Sequence, residues 1–271
     1  MKTVLVFSSC VAASRVGAAA SAFCLRRLGI ETIVMPTTVL GRHPGWGPPG
    51  GQALSEDHIR SMWDAIKEQN IPIDAVMTGY LAAKSHIDIA LDIIADVKTA
   101  NAKPIIVVDP VMGDNGKLYI PAQNTQAIKS QLVPQADIIT PNAWELSFLT
   151  GCDAQSLESL KKAAHDLSMQ SLVTSVPVLN NIGALYTHET QSALVQHKKF
   201  KTVPHGGGDA LSATFLAHLL NGMSPYESLA KSVASIFSIL SSAVETDAGE
   251  LPLIRKQDKL LKAKPLKVDI L

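Results

Sequence analysis

The sequence predicts an α/β fold of the doubly wound kind: a mostly parallel sheet with helices on both faces, an α/β/α sandwich. Three observations carry this. Short β-branched runs alternate with stretches at helical spacing, several runs are apolar from end to end, and small or acidic residues stand where those runs stop. A strand apolar on both faces belongs inside a parallel sheet covered by helices. Open sheets of this kind hold ligands just beyond the carboxyl ends of their strands.

In order, residues 3–7 (TVLVF) read as a buried strand, Gly17 to Leu28 as a helix stopped by Gly29, and 32–35 (TIVM) as the next strand. Ser55 N-caps the helix in LSEDHIRSMWDAIKEQN, where Ile59, Met62 and Ile66 keep helical spacing. Residues 74–80 read as a strand, 84–100 as a helix, and 104–110 (PIIVVDP) as a strand apolar until Asp109. Residues 136–142 (ADIITPN) form another strand, and Asn142 caps the helix after it. Residues 171–175, 183–188 and 192–198 read as strands, the last two as a hairpin around HETQ, before helices at 208–221 and 225–245. With no internal repeat and no linker, 1–271 reads as a single domain. Residues 39–52 (VLGRHPGWGPPGGQ) break the pattern. Five glycines and three prolines around His43 and Trp46 predict a long irregular loop serving as a lid.

Lys+Arg and Asp+Glu are equal at 24 each, so no global field recruits nucleic acid or an anionic membrane. The lysines gathered in RKQDKLLKAKPLKVDIL read as a solvated face. Cys10, Cys24 and Cys152 have neither disulfide-framework nor zinc spacing, which fits a cytoplasmic protein. The opening segment reads as a strand and a helix rather than a signal peptide, because its apolar run is short and Arg15 interrupts the stretch of small residues after it. No uncharged run of eighteen residues exists to span a membrane.

The residues just past the strands are Ser8/Ser9, Gly79/Tyr80, Asp109, Thr140/Asn142 and Thr174/Ser175. Each has an ordinary reading: Asp109 before Pro110 can end a strand, and Thr140-Pro141-Asn142 can be capping. Their coincidence at strand ends suits a polar ligand that carries a metal. The segment TVPHGGGDALSATF adds a second signal. A helix N-terminus offers unpaired N–H groups and partial positive charge, and Gly206, Gly207 and Gly208 let that backbone curl around a phosphate. The alternative is a hinge with Asp209 as a plain cap, but capping needs one glycine at most. Beside a bound phosphate, Asp209 suits a general base that takes a proton from an attacking hydroxyl. No P-loop, dinucleotide fingerprint or zinc-protease motif is present.

These residues carry a resemblance. HGGGDALSA resembles the G-x-G-D signature of the ribokinase superfamily, and VVDPVMGDNGKLYIP, ADIITPNAWELSFLTG, GYLA, LVTS and RRLG look like its pyridoxal (vitamin B6) kinase branch. The resemblance covers essentially the whole chain. It implies a ribokinase-like fold and transfer of the ATP γ-phosphate to the 5′-hydroxymethyl group of pyridoxal, pyridoxine or pyridoxamine. By position it makes Asp209 the base and Gly206, Gly207 and Gly208 the anion hole. It places Asp109, Asp114 and Glu145 around Mg²⁺ and its waters, with K⁺ a candidate second cation. Thr140, Asn142, Thr174 and Ser175 join Asp109 and Glu145 on the nucleotide side. Ser9, His43, Pro44 and Tyr80 meet the vitamin with Asp209, and Tyr119 stands close by. It also implies a homodimer.

Three positions depart from the family pattern. Gly207 stands where Thr or Val is usual, Pro44 where Thr is common after His43, and ASRVG where Tyr-Gly-His-x-Gly is usual. All three are expected on the vitamin side. They leave open a superfamily kinase for another small hydroxymethyl compound, a hydroxymethylpyrimidine or a sugar. A weakly catalytic binding protein is the third reading, against which Asp209 argues: a pure binder gains by losing a carboxylate beside phosphate.

Overall fold

The computed structural model describes residues 1–114, 116–153 and 156–271. Twelve strands occur among these residues: β1 (Thr3–Val11), β2 (Glu31–Leu40), β3 (Gly51–Ala53), β4 (Ala75–Thr78), β5 (Ile105–Val108), β6 (Gly113–Asp114), β7 (Lys117–Leu118), β8 (Ile138–Ile139), β9 (Gln170–Val178), β10 (Asn181–His188), β11 (Gln191–Lys198) and β12 (Asp269–Ile270). The helices are α1 (Gly17–Arg27), α2 (Glu56–Glu68), α3 (Lys84–Ala100), α4 (Ala122–Ala127), α5 (Ala143–Thr150), α6 (Leu157–Asp166), α7 (Gly207–Leu220), α8 (Pro225–Glu245) and α9 (Asp258–Lys262). Ten strands form one sheet in the order β12-β11-β10-β9-β8-β5-β4-β1-β2-β3, and β6-β7 make a separate ribbon. The central pairs from β9 through β2 are parallel; β3 and β10–β12 run antiparallel at the two ends.

Strand β1 shows why the sheet is covered twice. Val4 and Val6 pack with α1, α7 and α8 residues such as Leu25, Phe215 and Ile239, while Leu5 and Phe7 pack with Ile59, Trp63 and Ile93 of α2 and α3. Alternate side chains thus enter opposite cores, so every position must be apolar. The chain leaves β1 for β2 on one side and later returns to β4 on the other. That reversal opens a crevice at the strand ends of β1 and β4, where such sheets bind ligands.

The helix starts follow their caps. Ser55 accepts from His58 N–H at α2, Ser224 and Glu227 form a capping box at α8 with Pro225 in the first turn, and Asn142 and Glu145 form another at α5. Two expectations need correction. β1 and β2 run on to Val11 and Leu40, because Ser8 and Cys10 stay paired with Pro36 and Val39 despite their polarity. The 39–52 loop is not irregular: β2 pairs with β3 through Thr38–Ala53, Val39–Gln52 and Leu40–Gly51, with a 3₁₀ turn at Pro44–Trp46 between them. The segment is a hairpin flap on the sheet edge. At the other edge, the lysine-rich C-terminal stretch forms α9 and β12, which pairs with β11.

Candidate active site

Gly206 takes the N-cap of α7 at φ +93°, a left-handed conformation, and a Cβ there would fall 2.1 Å from the Arg15 carbonyl oxygen. Dihedral and space both demand glycine. Gly207 and Gly208 then open the helix, and their N–H groups belong to the first turn, which has no intrahelical acceptor. Asp209 sits in that turn. The Gly17 N–H, at the first residue of α1, and the Asp209 N–H favour the carboxylate; burial outweighs both and pushes its pKa up. Two helix N-termini therefore meet at one carboxylate, a strongly anion-favouring field. Gly17 was invisible as a site residue in the sequence. Its φ of +55° and the Ser9 oxygens 2.5 and 2.7 Å from a Cβ on it show why glycine follows Arg15-Val16 there.

Asp109 ends β5 and is buried. Burial first, then the charges of Glu145 and Asp209, hold its pKa well above the carboxylate range, although Ser212 donates to Oδ2 at 3.5 Å. Glu145 is fully engaged. Oε2 accepts from Asn142 N–H (2.9 Å) and Oε1 from Met112 and Gly113 N–H (3.0 and 3.4 Å), while burial still raises it to about 7. Asn142 accepts from Glu145 N–H at 2.8 Å and donates Nδ2 to Gly113 O at 3.0 Å. These bonds fasten α5 to the loop that leads to Asp114. Asp109, Asp114 and Glu145, expected around Mg²⁺ and its waters, do not form a direct three-residue cluster. Among the described residues no three His, Cys, Asp or Glu side chains come together to hold a metal, and backbone N–H groups occupy both Glu145 oxygens.

A cavity of about 240 Å³ opens beside the glycines, lined by Thr174, Ser175, Gly207, Gly208, Phe200 and Phe237, among others. Ser175 holds φ +59° where the β9–β10 register shifts, a strained residue of the kind found at binding sites. Thr140 and Asn142 do not line this cavity; Asn142 reaches it only through its bridge to Thr174. The vitamin-side placement expected for Gly207 needs correction. The atoms nearest a Cβ on it belong to Leu240 of α8, at 3.9 Å, so it faces this cavity and not the vitamin side.

At the ends of β1 and β4, Ser8 Oγ accepts from Tyr80 N–H at 3.2 Å, an approach that requires Gly79, whose Cβ would lie 2.4 Å from that oxygen. Thr37 donates to Tyr80 O at 2.7 Å, and the Tyr80 hydroxyl donates to Tyr119 O at 3.5 Å. Ser9 is buried against Gly17. From the flap, His43 stacks on His205 with ring centroids 4.3 Å apart, placing it one residue from Gly206. Pro44 starts the flap's 3₁₀ turn, where its fixed φ suits the first position. The contacts thus link His43 to the glycine turn through His205, Ser9 to Gly17, and Tyr80 to Ser8 and Tyr119, while Thr174 and Ser175 share a cavity with Gly207 and Gly208.

Comparison with known proteins decides what this arrangement belongs to. Residues 47–254 match the family model for phosphomethylpyrimidine kinase. The pyridoxal kinase PdxY of Leifsonia xyli subsp. xyli is 33% identical, with 94% of each chain covered. This chain belongs to the pyridoxal kinase branch of that family. The pyridoxal kinase structure of Entamoeba histolytica superposes with a TM-score of 0.93 at 26% identity over 100% of both chains. A Leishmania donovani pyridoxal kinase in complex with ADP and pyridoxamine shares the fold, with a TM-score of 0.92 at 21% identity over 100% of both chains. The protein is accordingly an α/β ribokinase-like kinase, and no helix among its described residues is long and apolar enough to cross a membrane.

In this kinase the His43–His205 stack joins the flap to the floor, the turn at Gly206–Asp209. His43 Nδ1 accepts from Gly45 N–H at 3.1 Å, which leaves Nε2 to carry the ring's proton. Burial, then the His205 ring, push the His43 pKa below its ordinary value against the opposing pull of Glu250. The His43 ring of the stacked pair is therefore held in its neutral form at neutral pH.

Proposed function

We propose that residues 1–271 act as one kinase domain that transfers the γ-phosphoryl group of ATP to the 5′-hydroxymethyl group of pyridoxal, pyridoxine or pyridoxamine. The observation that carries this is Asp209, held where the N-termini of α1 and α7 converge beneath three glycines. Its raised pKa makes it a stronger base than an exposed aspartate. It takes the proton of the vitamer hydroxyl as that oxygen attacks the γ-phosphorus; the P–O bond to ADP breaks, and ADP leaves. The N–H groups of Gly207 and Gly208 meet the charge that develops on the transferring oxygens. The nucleotide base is assigned to the cavity of Thr174, Ser175 and Phe237. The vitamer ring is assigned to the side of Ser9, Tyr80, Tyr119 and His43.

Asp109 feels the negative charges of Glu145 and Asp209, an oxygen-rich surrounding that a divalent cation bound through water would relieve. We assign Mg²⁺ to Asp109, with Asp114 and Glu145 acting through its waters; bound there, the ion neutralises phosphate charge. We also assign the protein to the cytoplasm, as its three free cysteines suggest, and to a homodimer on the family resemblance.

A second reading rests on the family model's description: the acceptor is a hydroxymethylpyrimidine. ADP release with Mg·ATP, measured against the three vitamers and hydroxymethylpyrimidine in sodium and in potassium buffer, separates the two. Turnover on a pyridine vitamer is expected. Turnover on the pyrimidine alone would move the substrate and keep the mechanism.

A further inference from the structure

Two exposed apolar side chains, Trp46 at 47% and Ile254 at 54%, meet at a second cavity. It measures about 330 Å³, a volume suited to a small metabolite, and Arg15, Glu250, Leu251 and Arg255 also line it. Its walls are the turn after β1, the tip of the flap and the segment after α8. Neither the Thr174–Ser175 cavity nor the Ser9–Tyr80 group shares these residues. Arg15 reaches Glu250 only through its backbone N–H, at 2.9 Å, and neither guanidinium makes a hydrogen bond or ion pair among the described residues.

Two unengaged guanidiniums against one carboxylate leave the rim positive. Guanidinium matches phosphate bidentately, and Trp46 with Leu251 and Ile254 offers a face for a ring. A bare inorganic anion would leave that apolar wall wet; an uncharged ring would leave both arginines unused. We propose that this cavity is a second binding site for a phosphorylated aromatic metabolite, namely the vitamer phosphate that the enzyme makes. The ligand's identity rests on the vitamer kinase reading above, whereas the chemistry of the cavity does not.

Position gives the site a consequence. The Arg15 carbonyl and Leu251 Cδ1 are, at 2.1 and 3.2 Å, among the atoms nearest a Cβ built on Gly206, and the Trp46 ring lies 3.6 Å from one built on Gly249. A ligand between Trp46 and Arg255 fixes the flap tip to the segment that backs the anion turn. The flap then opens more slowly, and product restrains its own formation.

The test is calorimetric titration of the full chain with pyridoxine 5′-phosphate, which has no aldehyde to react with lysines. Two equivalents are expected, one displaced by pyridoxine and one indifferent to it. Arg255→Gln and Trp46→Leu each weaken the indifferent equivalent at least tenfold and leave the other unchanged. Inhibition of wild type by pyridoxine 5′-phosphate is expected to include a component noncompetitive with pyridoxine, which Arg255→Gln removes. A single equivalent, displaced by pyridoxine, would overturn the proposal. Equal binding of inorganic phosphate at the indifferent site would overturn the role of the ring, and tighter binding of AMP there would overturn the ligand's identity. An indifferent equivalent lost in Arg255→Gln, with no displaceable one, would uphold the site and refute the vitamer reading of the active site.

Discussion

The floor and the flap of this enzyme are built on opposite principles. The floor is backbone and buried charge: glycines at +93° and +55°, two helix N-termini, and carboxylates whose pKa values burial has raised. The flap is a short hairpin on the sheet edge whose contribution to the site is a side chain, His43, stacked on another, His205. Phosphate can be recognised by main-chain N–H groups, so its site demands particular dihedrals and close approaches. An organic acceptor is recognised by surface side chains, which the fold leaves free to vary. Departures at Pro44 and Arg15 therefore sit at the flap and its support, while the phosphate side departs only at Gly207, where main-chain N–H groups still do the work.

Among backbone changes, Gly206→Ala tests the floor most severely. The added methyl meets the Arg15 oxygen and holds an unfavourable φ, so about 1–3 kcal/mol of stability should be lost. Turnover should drop by roughly a hundredfold, the cost of one misplaced anion-hole donor. A thermal melt and kcat check this, and an active variant of unchanged melting temperature would break the contrast. Next is the flap itself. Protease cleavage within residues 41–50 should slow several-fold when vitamer and nucleotide bind, and equal rates would make the flap a passive hairpin.

Gly207→Thr is smaller and sharpens the boundary between the two sides. A Cβ there has room beside Leu240, so the fold should hold, with KM for ATP changed and KM for pyridoxine unchanged within about twofold. The reverse pattern would return Gly207 to the vitamin side. The mildest test is pH. The His43 pKa is lowered, so the folded flap favours the neutral ring. The stacked pair is complete above the ordinary histidine value of about 6.5 and weakens as pH falls through the lower folded value. An NMR titration of His43 with its midpoint above 6.5 would contradict this.

Much of this was legible in the sequence, for physical reasons that can be named. Helices 84–100 and 225–245 and the strand through 105–108 are set by local periodicity and caps, and they appear where expected. The triple glycine pointed to its helix N-terminus because flexibility there has no other return. What stayed hidden depends on partners distant in the chain. Asp209 meets Gly17 only after α1 and α7 pack together. The flap's strand β3 was masked by its glycines and prolines, since edge pairing with Leu40 needs no apolar pattern. For Glu145 the sequence gives the chemistry but not the three N–H groups, of Met112, Gly113 and Asn142, that occupy its oxygens. Gly207 points to the wrong side in the sequence because a glycine carries no side chain to reveal which wall it faces.

The central claim is that Asp209 acts as the base and not as a structural cap. Asp209→Asn, compared with wild type for kcat on pyridoxine and for Kd of nucleotide by calorimetry, tests it most directly. The asparagine keeps the shape and can still accept from the Gly17 N–H, so nucleotide should bind within a few-fold of wild type. Turnover should fall by about 10³-fold. Turnover within tenfold of wild type, or loss of nucleotide binding and turnover together, would contradict the account.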